Sequence, residues 1–189
     1  TIYKHANRLN RLVEDLLTIS DIELEEVKFF FESVSLSGVV ENVLPVVESK
    51  ATEKRLAINK DIPEGLPSIR ADRDRLSQIL LNVLDNAVKF TPESGKVSIT
   101  ASDDKEGYVI VRISDTGIGV PEDEIPRLGE RFYRVDKARS RELGGTGLGL
   151  SIVKHLMMAH NGRIEIESKL GRGTTVSLSF PVFDEEASV

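Results

Sequence analysis

The chain has 189 residues, 40% of them hydrophobic, and carries 25 Lys and Arg against 31 Asp and Glu for a net charge of -6. That length suits one domain with an appendage, and the acidic balance argues against a general nucleic-acid binder, which needs a basic surface to displace counterions. The absence of cysteine excludes a disulfide framework, thiolate metal sites and a cysteine nucleophile, and no uninterrupted apolar run exceeds four residues, so no segment is expected to span a bilayer or to form a signal-peptide core.

The first segment reads as a helix with a narrow apolar seam. Ile2, Leu9 and Leu16 form one heptad row, and His5, Leu12 and Ile19 a second, with Ala6 and Val13 beside them. Arg8, Asn10, Arg11, Glu14 and Asp15 fall outside the seam, as in a bundle or coiled coil. From about Val27 the texture changes. Residues 28–32 are a strand candidate, and Leu36 to about Lys54 has helical spacing with Ser35 or Ser37 as cap. Short strands are expected over Ala57–Ile62 and Ser68–Ala71, around a Pro- and Gly-containing turn. Asp72 can cap a helix from Arg73 to about Phe90. A hairpin follows, Lys96–Ser102 and Tyr108–Ser114. Residues 115–149 hold seven of the 14 glycines; then come a helix from about Gly147 to His160 and a last hairpin, Arg163–Ser168 and Thr174–Phe180. The acidic tail after Pro181 is expected to fray. Antiparallel hairpins interspersed with helices predict an α+β fold, a two-layer α/β sandwich with a mixed sheet, and not a doubly wound parallel sheet.

Three places could carry chemistry. Helix 73–90 buries Leu76, Ile79, Leu80, Val83, Leu84 and Ala87, while Asn82, Asn86 and Lys89 fall on one stripe of the opposite side. Two amide oxygens and an ammonium in a row could hold a hydrated Mg²⁺ with its phosphates, or could be an ordinary solvated face. Asp115-Thr116-Gly117-Ile118-Gly119 directly follows a strand. A carboxylate there can accept from an exocyclic amine while the glycines admit a planar base; the same residues would also make a plain turn. Gly144 to Leu150 opens a helix, where exposed N–H groups attract phosphate, or where glycines make a hinge. This stretch is neither a Walker A loop nor G-x-G-x-x-G, and the H-R-D and D-F-G pair of Ser/Thr protein kinases is absent.

Order and spacing are more specific than any one of these. Asn82-x-x-x-Asn86-Ala87-x-Lys89, Asp115-Thr116-Gly117-Ile118-Gly119, Arg131-Phe132-Tyr133-Arg134 and Gly145-Thr146-Gly147-Leu148-Gly149-Leu150 resemble the N, G1, F and G2 boxes of the catalytic ATP-binding domain of bacterial sensor histidine kinases. The resemblance covers about Ser33 to Phe183. Residues 1–26, with Asp15-Leu16-Leu17-Thr18, are similar to the second helix of that family's dimerisation and phosphoacceptor hairpin. The resemblance implies a Bergerat-type fold divided into residues 1–26, a partial hairpin, and 27–189, the ATP-binding domain. It implies ATP or ADP with Mg²⁺ as ligands. Asn82 and Asn86 would hold the metal and triphosphate, Lys89 the phosphates, and Asp115 the adenine amine. Gly117 and Gly119 would line the base, and Gly145, Thr146, Gly147, Leu148 and Gly149 would border the phosphates. Arg134 to Gly144 would form a mobile lid rich in Lys137, Arg139 and Arg141, with Arg134 stabilising the transferred group. The implied partners are a response-regulator receiver domain and a second copy through the hairpin, in the cytoplasm, with a parent protein that could be membrane-anchored.

Two features depart from that family. Gly129 stands where an aromatic is usual, which leaves Leu128, Phe132 and Tyr133 for docking on the hairpin. None of His5, His155 and His160 is followed by the acid and proline of the phosphoacceptor signature, so His5 is expected in the bundle seam and the other two in capping or surface roles. Two other functions compete with phosphotransfer to histidine. A gyrase-type ATP hydrolase would place a glutamate base at position 82, and an amide cannot take a proton from water. A non-enzymatic ATP-binding signalling module would need only the cavity.

Overall fold

The computed structural model describes residues 2–23, 28–136 and 145–184; within the first helix it describes the side chains of Ala6, Leu9, Asn10 and residues 12–20. The expected lid residues Lys137, Arg139 and Arg141, Gly144, the end of the acidic tail and the side chains of Ile2 and His5 lie outside the described residues.

The elements follow in the order α1 (Ile2–Glu23), β1 (Glu32–Val34), α2 (Leu36–Glu53), β2 (Ala57–Asp61), β3 (Ile69–Ala71), α3 (Arg73–Phe90), β4 (Lys96–Asp103), β5 (Tyr108–Asp115), a 3-10 helix (Glu122–Arg127), α4 (Gly149–Ala159), β6 (Arg163–Lys169) and β7 (Gly173–Pro181). Five strands form one mixed sheet in the order β2-β4-β5-β7-β6. The pair β2–β4 is parallel and the other pairs are antiparallel. A separate antiparallel pair, β1–β3, joins the large sheet through a bridge between Ile69 and Val182. The first residues after Pro181 are therefore tied down rather than frayed: the amide of Phe183 also donates to the Ser68 carbonyl at 2.8 Å.

Alternation explains the two layers. Val97, Ile99 and Ala101 of β4, Val109, Val111 and Ile113 of β5, and Leu178 and Phe180 of β7 are buried. Polar Ser98, Thr100, Ser114 and Thr175 occupy the alternate positions. The inner face packs into one core with the buried stripes of the helices, Val39, Val40, Val43 and Val47 of α2, Leu76, Ile79, Leu80 and Leu84 of α3, and Ile152, Val153 and Leu156 of α4. Each such side chain contributes about 1.5–3 kcal/mol by leaving water.

Helix α3 matches the expected Arg73–Phe90. Asp72 caps it, Oδ1 accepting from the amides of Asp74 at 3.1 Å and Arg75 at 3.0 Å. Three expectations need correction. The strand expected over residues 28–32 begins only at Glu32. Upstream of it Phe29 and Phe31 leave the strand pattern because their rings pack on the His160 imidazole. His160 does cap the C-terminus of α4, one of its two expected roles, but it is fully buried and not at the surface. Its Nδ1 donates to the Leu156 carbonyl at 2.7 Å and its Nε2 accepts from the Asp72 amide at 3.1 Å. The seam of α1 splits. Leu12 and Ile19 pack against the core, whereas Leu9, Val13, Leu16 and Leu17 are exposed. Asp15, which lies at i+3 from Leu12 and was expected outside the seam, is drawn with it onto the inner side.

Candidate nucleotide site

The outer stripe of α3, the end of β5 and the glycine-rich start of α4 enclose a cavity of about 820 Å³. Asn82, Asn86 and Lys89 line one wall, Asp115 and Gly119 another, and Arg134, Gly145, Thr146, Gly147 and Gly149 a third. Residues up to 67 positions apart in sequence thus meet at one opening. Ile113, Ile166 and Val176 supply an apolar floor from the sheet, which suits the face of a planar base.

Asp115 sits where β5 ends. Both hydrogen bonds described at its carboxylate use Oδ1, from the Gly117 amide at 2.7 Å and the Thr174 amide at 3.3 Å. Burial pushes its pKa above the usual carboxylate value, and these two amides pull it back in part. The neighbouring glycines are required for a reason different from base approach. A Cβ on Gly117 would lie 2.5 Å from Asp115 Oδ1 and 2.7 Å from the Phe90 carbonyl oxygen. On Gly119, at φ +65°, it would lie 2.0 Å from the Lys169 carbonyl oxygen. The chain itself fills the space that a side chain would need. Gly119 still borders the cavity; Gly117 is packed behind Asp115 and does not line it.

At the other wall, a Cβ on Gly149 would approach Asn82 Oδ1 to 3.3 Å, so the bare backbone of the α4 start faces that amide. Leu148, expected to border phosphates, is instead fully buried in the core and is absent from the lining. Gly147 and Gly149 beside it stay at the wall, and Leu148 leaves it because the first turn of α4 anchors on that apolar side chain. Arg134 donates to the Gly145 carbonyl and so joins the two described ends flanking residues 137–144. Gly129 has φ +92°, and a Cβ there would lie 2.5 Å from Cδ of Lys154. Phe132 is 55% exposed, and Tyr133 lies under the Arg127 guanidinium at 4.0 Å.

Sequence reading missed three contacts. Thr146 Oγ1 donates to Asp15 Oδ2 at 2.8 Å, tying α1 to the glycine-rich loop. Lys50 pairs with Asp85 at the cavity's edge. Lys54 Nζ donates to the carbonyls of Val88 at 2.7 Å, of Lys89 at 3.1 Å and of Thr91. Burial lowers its pKa from the ordinary value. Each contact joins residues more than 30 positions apart, and no local periodicity signals it.

The donor set fits a hard cation held largely by its substrate. Amide oxygens of Asn82 and Asn86 are suitable ligands for Mg²⁺, and no group of three or more His, Asp and Glu forms a metal cage among the described residues. Residues 71–184 match the family of histidine kinase-, DNA gyrase B- and HSP90-like ATPases. The chain belongs to this family.

Within that family the likeness that extends through α1 is to histidine kinases. The sensor histidine kinase WalK of Bacillus subtilis is 34% identical over 182 residues, 96% of this chain and 30% of WalK. The Acinetobacter baumannii histidine kinase AdeS has a TM-score of 0.78 at 25% identity, covering 95% of this chain and 81% of the solved one. Full-length ShkA in complex with AMPPNP has a TM-score of 0.81 at 35% identity, covering 93% of this chain and 36% of that chain. The molecule is an ATP-binding catalytic domain of the sensor histidine kinase type, with the mixed sheet and helical layer of those domains. It spans about a fifth to two fifths of the length of the curated relatives it matches. No helix among the described residues is long and apolar enough to cross a membrane.

Proposed function

We propose that the protein transfers the γ-phosphoryl group of Mg²⁺-ATP to a histidine of the dimerisation hairpin, for relay to an aspartate of a response-regulator receiver domain. Residues 1–26 are the second helix of that hairpin and 27–189 the catalytic domain. The two copies of the full protein pair through the hairpin in the cytoplasm, where the regulator is found. The observation that carries this reading is the meeting of Asn82, Asn86, Lys89, Asp115 and the glycine-rich loop around one cavity.

Asp115 accepts the adenine amine on Oδ2, since its described bonds use Oδ1. Ile113, Ile166 and Val176 exclude water from the base. Asn82 and Asn86 present amide oxygens to the metal and Lys89 presents an ammonium to the phosphates. The amides of Gly145, Thr146, Gly147 and Gly149 receive phosphate oxygens at the start of α4. Arg134, already turned to the Gly145 carbonyl, faces the transferred group. Mg²⁺, when bound, supplies charge neutralisation across the phosphates. In the transfer, the acceptor imidazole nitrogen forms the new P–N bond as the β,γ-bridging P–O bond breaks. ADP leaves with the electron pair and the imidazole proton passes to solvent. The protein's contribution is positioning and electrostatics. Asn82 cannot serve as a base for water, which sets hydrolysis aside as the principal reaction.

The test is labelling with γ-labelled ATP. This chain alone should bind the nucleotide and remain unlabelled, because no histidine in it carries the acceptor signature. A hairpin supplied in trans should acquire acid-labile label. Acid-labile label on this chain itself would refute the assignment and return His5, His155 or His160 to candidacy.

A further inference from the structure

The last four carbonyls of an α-helix have no partner within it, and at the end of α3 those carbonyls are divided between two neighbours. Those of Val88, Lys89 and Thr91 accept from Lys54 Nζ, which uses all three ammonium protons. That of Phe90 points the other way and accepts from the Ile118 amide at 3.2 Å. Lys54 is itself fixed: it is the C-cap of α2, and its carbonyl accepts from the Ser94 amide at 3.1 Å. The turn after α3 closes the knot, with the Lys96 amide donating to Thr116 Oγ1 at 2.9 Å and the Thr116 amide returning to the Lys96 carbonyl at 3.0 Å.

We propose that Lys54 is a positioning residue of the nucleotide site, holding the last turn of α3 and, through the Phe90 carbonyl, the loop that carries Asp115 and Gly119. This rests on the nucleotide reading of the cavity. Lys54 is not among the cavity's lining residues, whereas Lys89, Phe90, Ile118 and Gly119 are. It therefore acts through them. An ammonium at a helix C-terminus opposes the negative end of the helix dipole and satisfies three carbonyls at a partly buried junction. Without it the final turn, with Lys89 and Phe90 on it, loses three charge-assisted bonds at once. The Phe90 carbonyl, whose direction follows from that turn, then no longer fixes Ile118. Gly117 leaves no slack, since even a Cβ there would lie 2.7 Å from the Phe90 oxygen.

The experiment titrates the whole chain with Mg²⁺-ADP by calorimetry and records amide spectra of the parent, Lys54→Gln and Lys54→Arg. The glutamine variant should bind about tenfold or more weakly and the arginine variant within about threefold of the parent, as expected for losing or keeping bonds from a charged donor. The Ile118 and Gly119 resonances should move in Lys54→Gln without nucleotide. A plain helix cap would confine the shifts to residues near 54 and 88–94. The proposal is overturned if Lys54→Gln binds within about twofold of the parent, or if Ile118 does not move. Should Lys54→Gln fail to fold, the spectrum of Lys54→Arg decides. The guanidinium keeps a charged donor at the three carbonyls but in a different shape, so the Val88 to Thr91 resonances should shift, and an Ile118 resonance that stays put while these move overturns the link. A parent chain that binds no Mg²⁺-ADP refutes the nucleotide reading instead, and the Ile118 shift still tests Lys54.

Discussion

Helix α3 begins on Asp72 and ends against Lys54, and its two ends are built in opposite ways. At the start, one buried carboxylate accepts from Asp74 and Arg75, and its second oxygen accepts from the Phe30 amide at 2.9 Å. At the finish, one ammonium donates to three carbonyls. The first end is closed by aromatic packing around His160, and Asp72 is not among the residues that line the cavity, although Asp74 in the next turn is. The second end opens onto the cavity. A single helix thus carries a structural end and a functional end, and the same kind of change should register as stability at one and as affinity at the other.

Asp72→Ala should have the largest effect. It removes the cap and leaves the Phe30 amide without its partner, a loss of about 2–4 kcal/mol in folding stability. Denaturant unfolding should show this as a lower midpoint, with Mg²⁺-ADP affinity unchanged at temperatures where the variant remains folded. A large affinity loss in folded Asp72→Ala would break the division between the two ends.

Asp115→Ala, beside the functional end, should do the reverse. Nucleotide binding should weaken by about 1–3 kcal/mol, as for a hydrogen bond to a charged group, with Asp115→Asn losing less because the amide oxygen can still accept. Burial raises the Asp115 pKa, so affinity should fall as pH drops through that raised value, where the carboxylate is converted to its acid. Asp115→Asn should lack this dependence. Calorimetry across pH checks both statements, and unchanged affinity in both variants would reduce Asp115 to a turn residue.

Asn86→Ala should sharpen the functional end further. It removes an oxygen that Mg²⁺, with its strict octahedral demand, can replace only with water. ADP affinity measured with magnesium should fall by about tenfold, while affinity measured with the metal chelated should stay close to the parent. Equal losses in both conditions would place Asn86 on the nucleotide and not on the metal.

The two ends also differ in how far they could be read from the chain. Asp72 caps residues two and three positions ahead, a local relation that the sequence pattern expresses, and the boundaries of α3 follow from it. The stripe of Asn82, Asn86 and Lys89 is equally local, being set by helical spacing. The end at Lys54 depends on α2 and α3 running side by side, and that contact spans 34 to 37 residues. The β1–β3 pairing and the docking of Asp15 on Thr146 across 131 residues are of the same kind. Leu148 shows the complementary failure. A motif assigned it to the phosphate loop, but its apolar side chain took the core, while the glycines, Thr146 and Leu150 remained at the wall. Of the two glycines expected at the base, Gly119 borders the cavity and Gly117 does not, and at both it is close backbone packing that leaves no room for a side chain.

The smallest predicted effect belongs to the structural end and comes from His160. Its Nε2 accepts from the Asp72 amide, so a proton on that nitrogen would set one donor against another. Burial is the main cause that lowers its pKa from the ordinary 6.5, with nearby Arg70 acting in the same direction. The Leu156 carbonyl and the Asp72 carboxylate oppose that shift in part. Below pH 6.5 the unfolded chain therefore takes up the proton before the folded one does. Stability is complete above that value, declines as pH falls from it towards the lowered folded pKa, and levels off below. The slope for this one site cannot exceed about 1.4 kcal/mol per pH unit. His160→Gln, whose amide oxygen can still accept from Asp72, should flatten this component of the profile measured by denaturant unfolding between pH 7 and about pH 5. Mg²⁺-ADP affinity should not share the change, because His160 touches the capped start of α3 and not its open end. A profile of the parent chain that rises as pH falls through 6.5 would mean that the imidazole is held charged, and the packing of Phe29, Phe31 and Phe180 around it would then have to accommodate a cation.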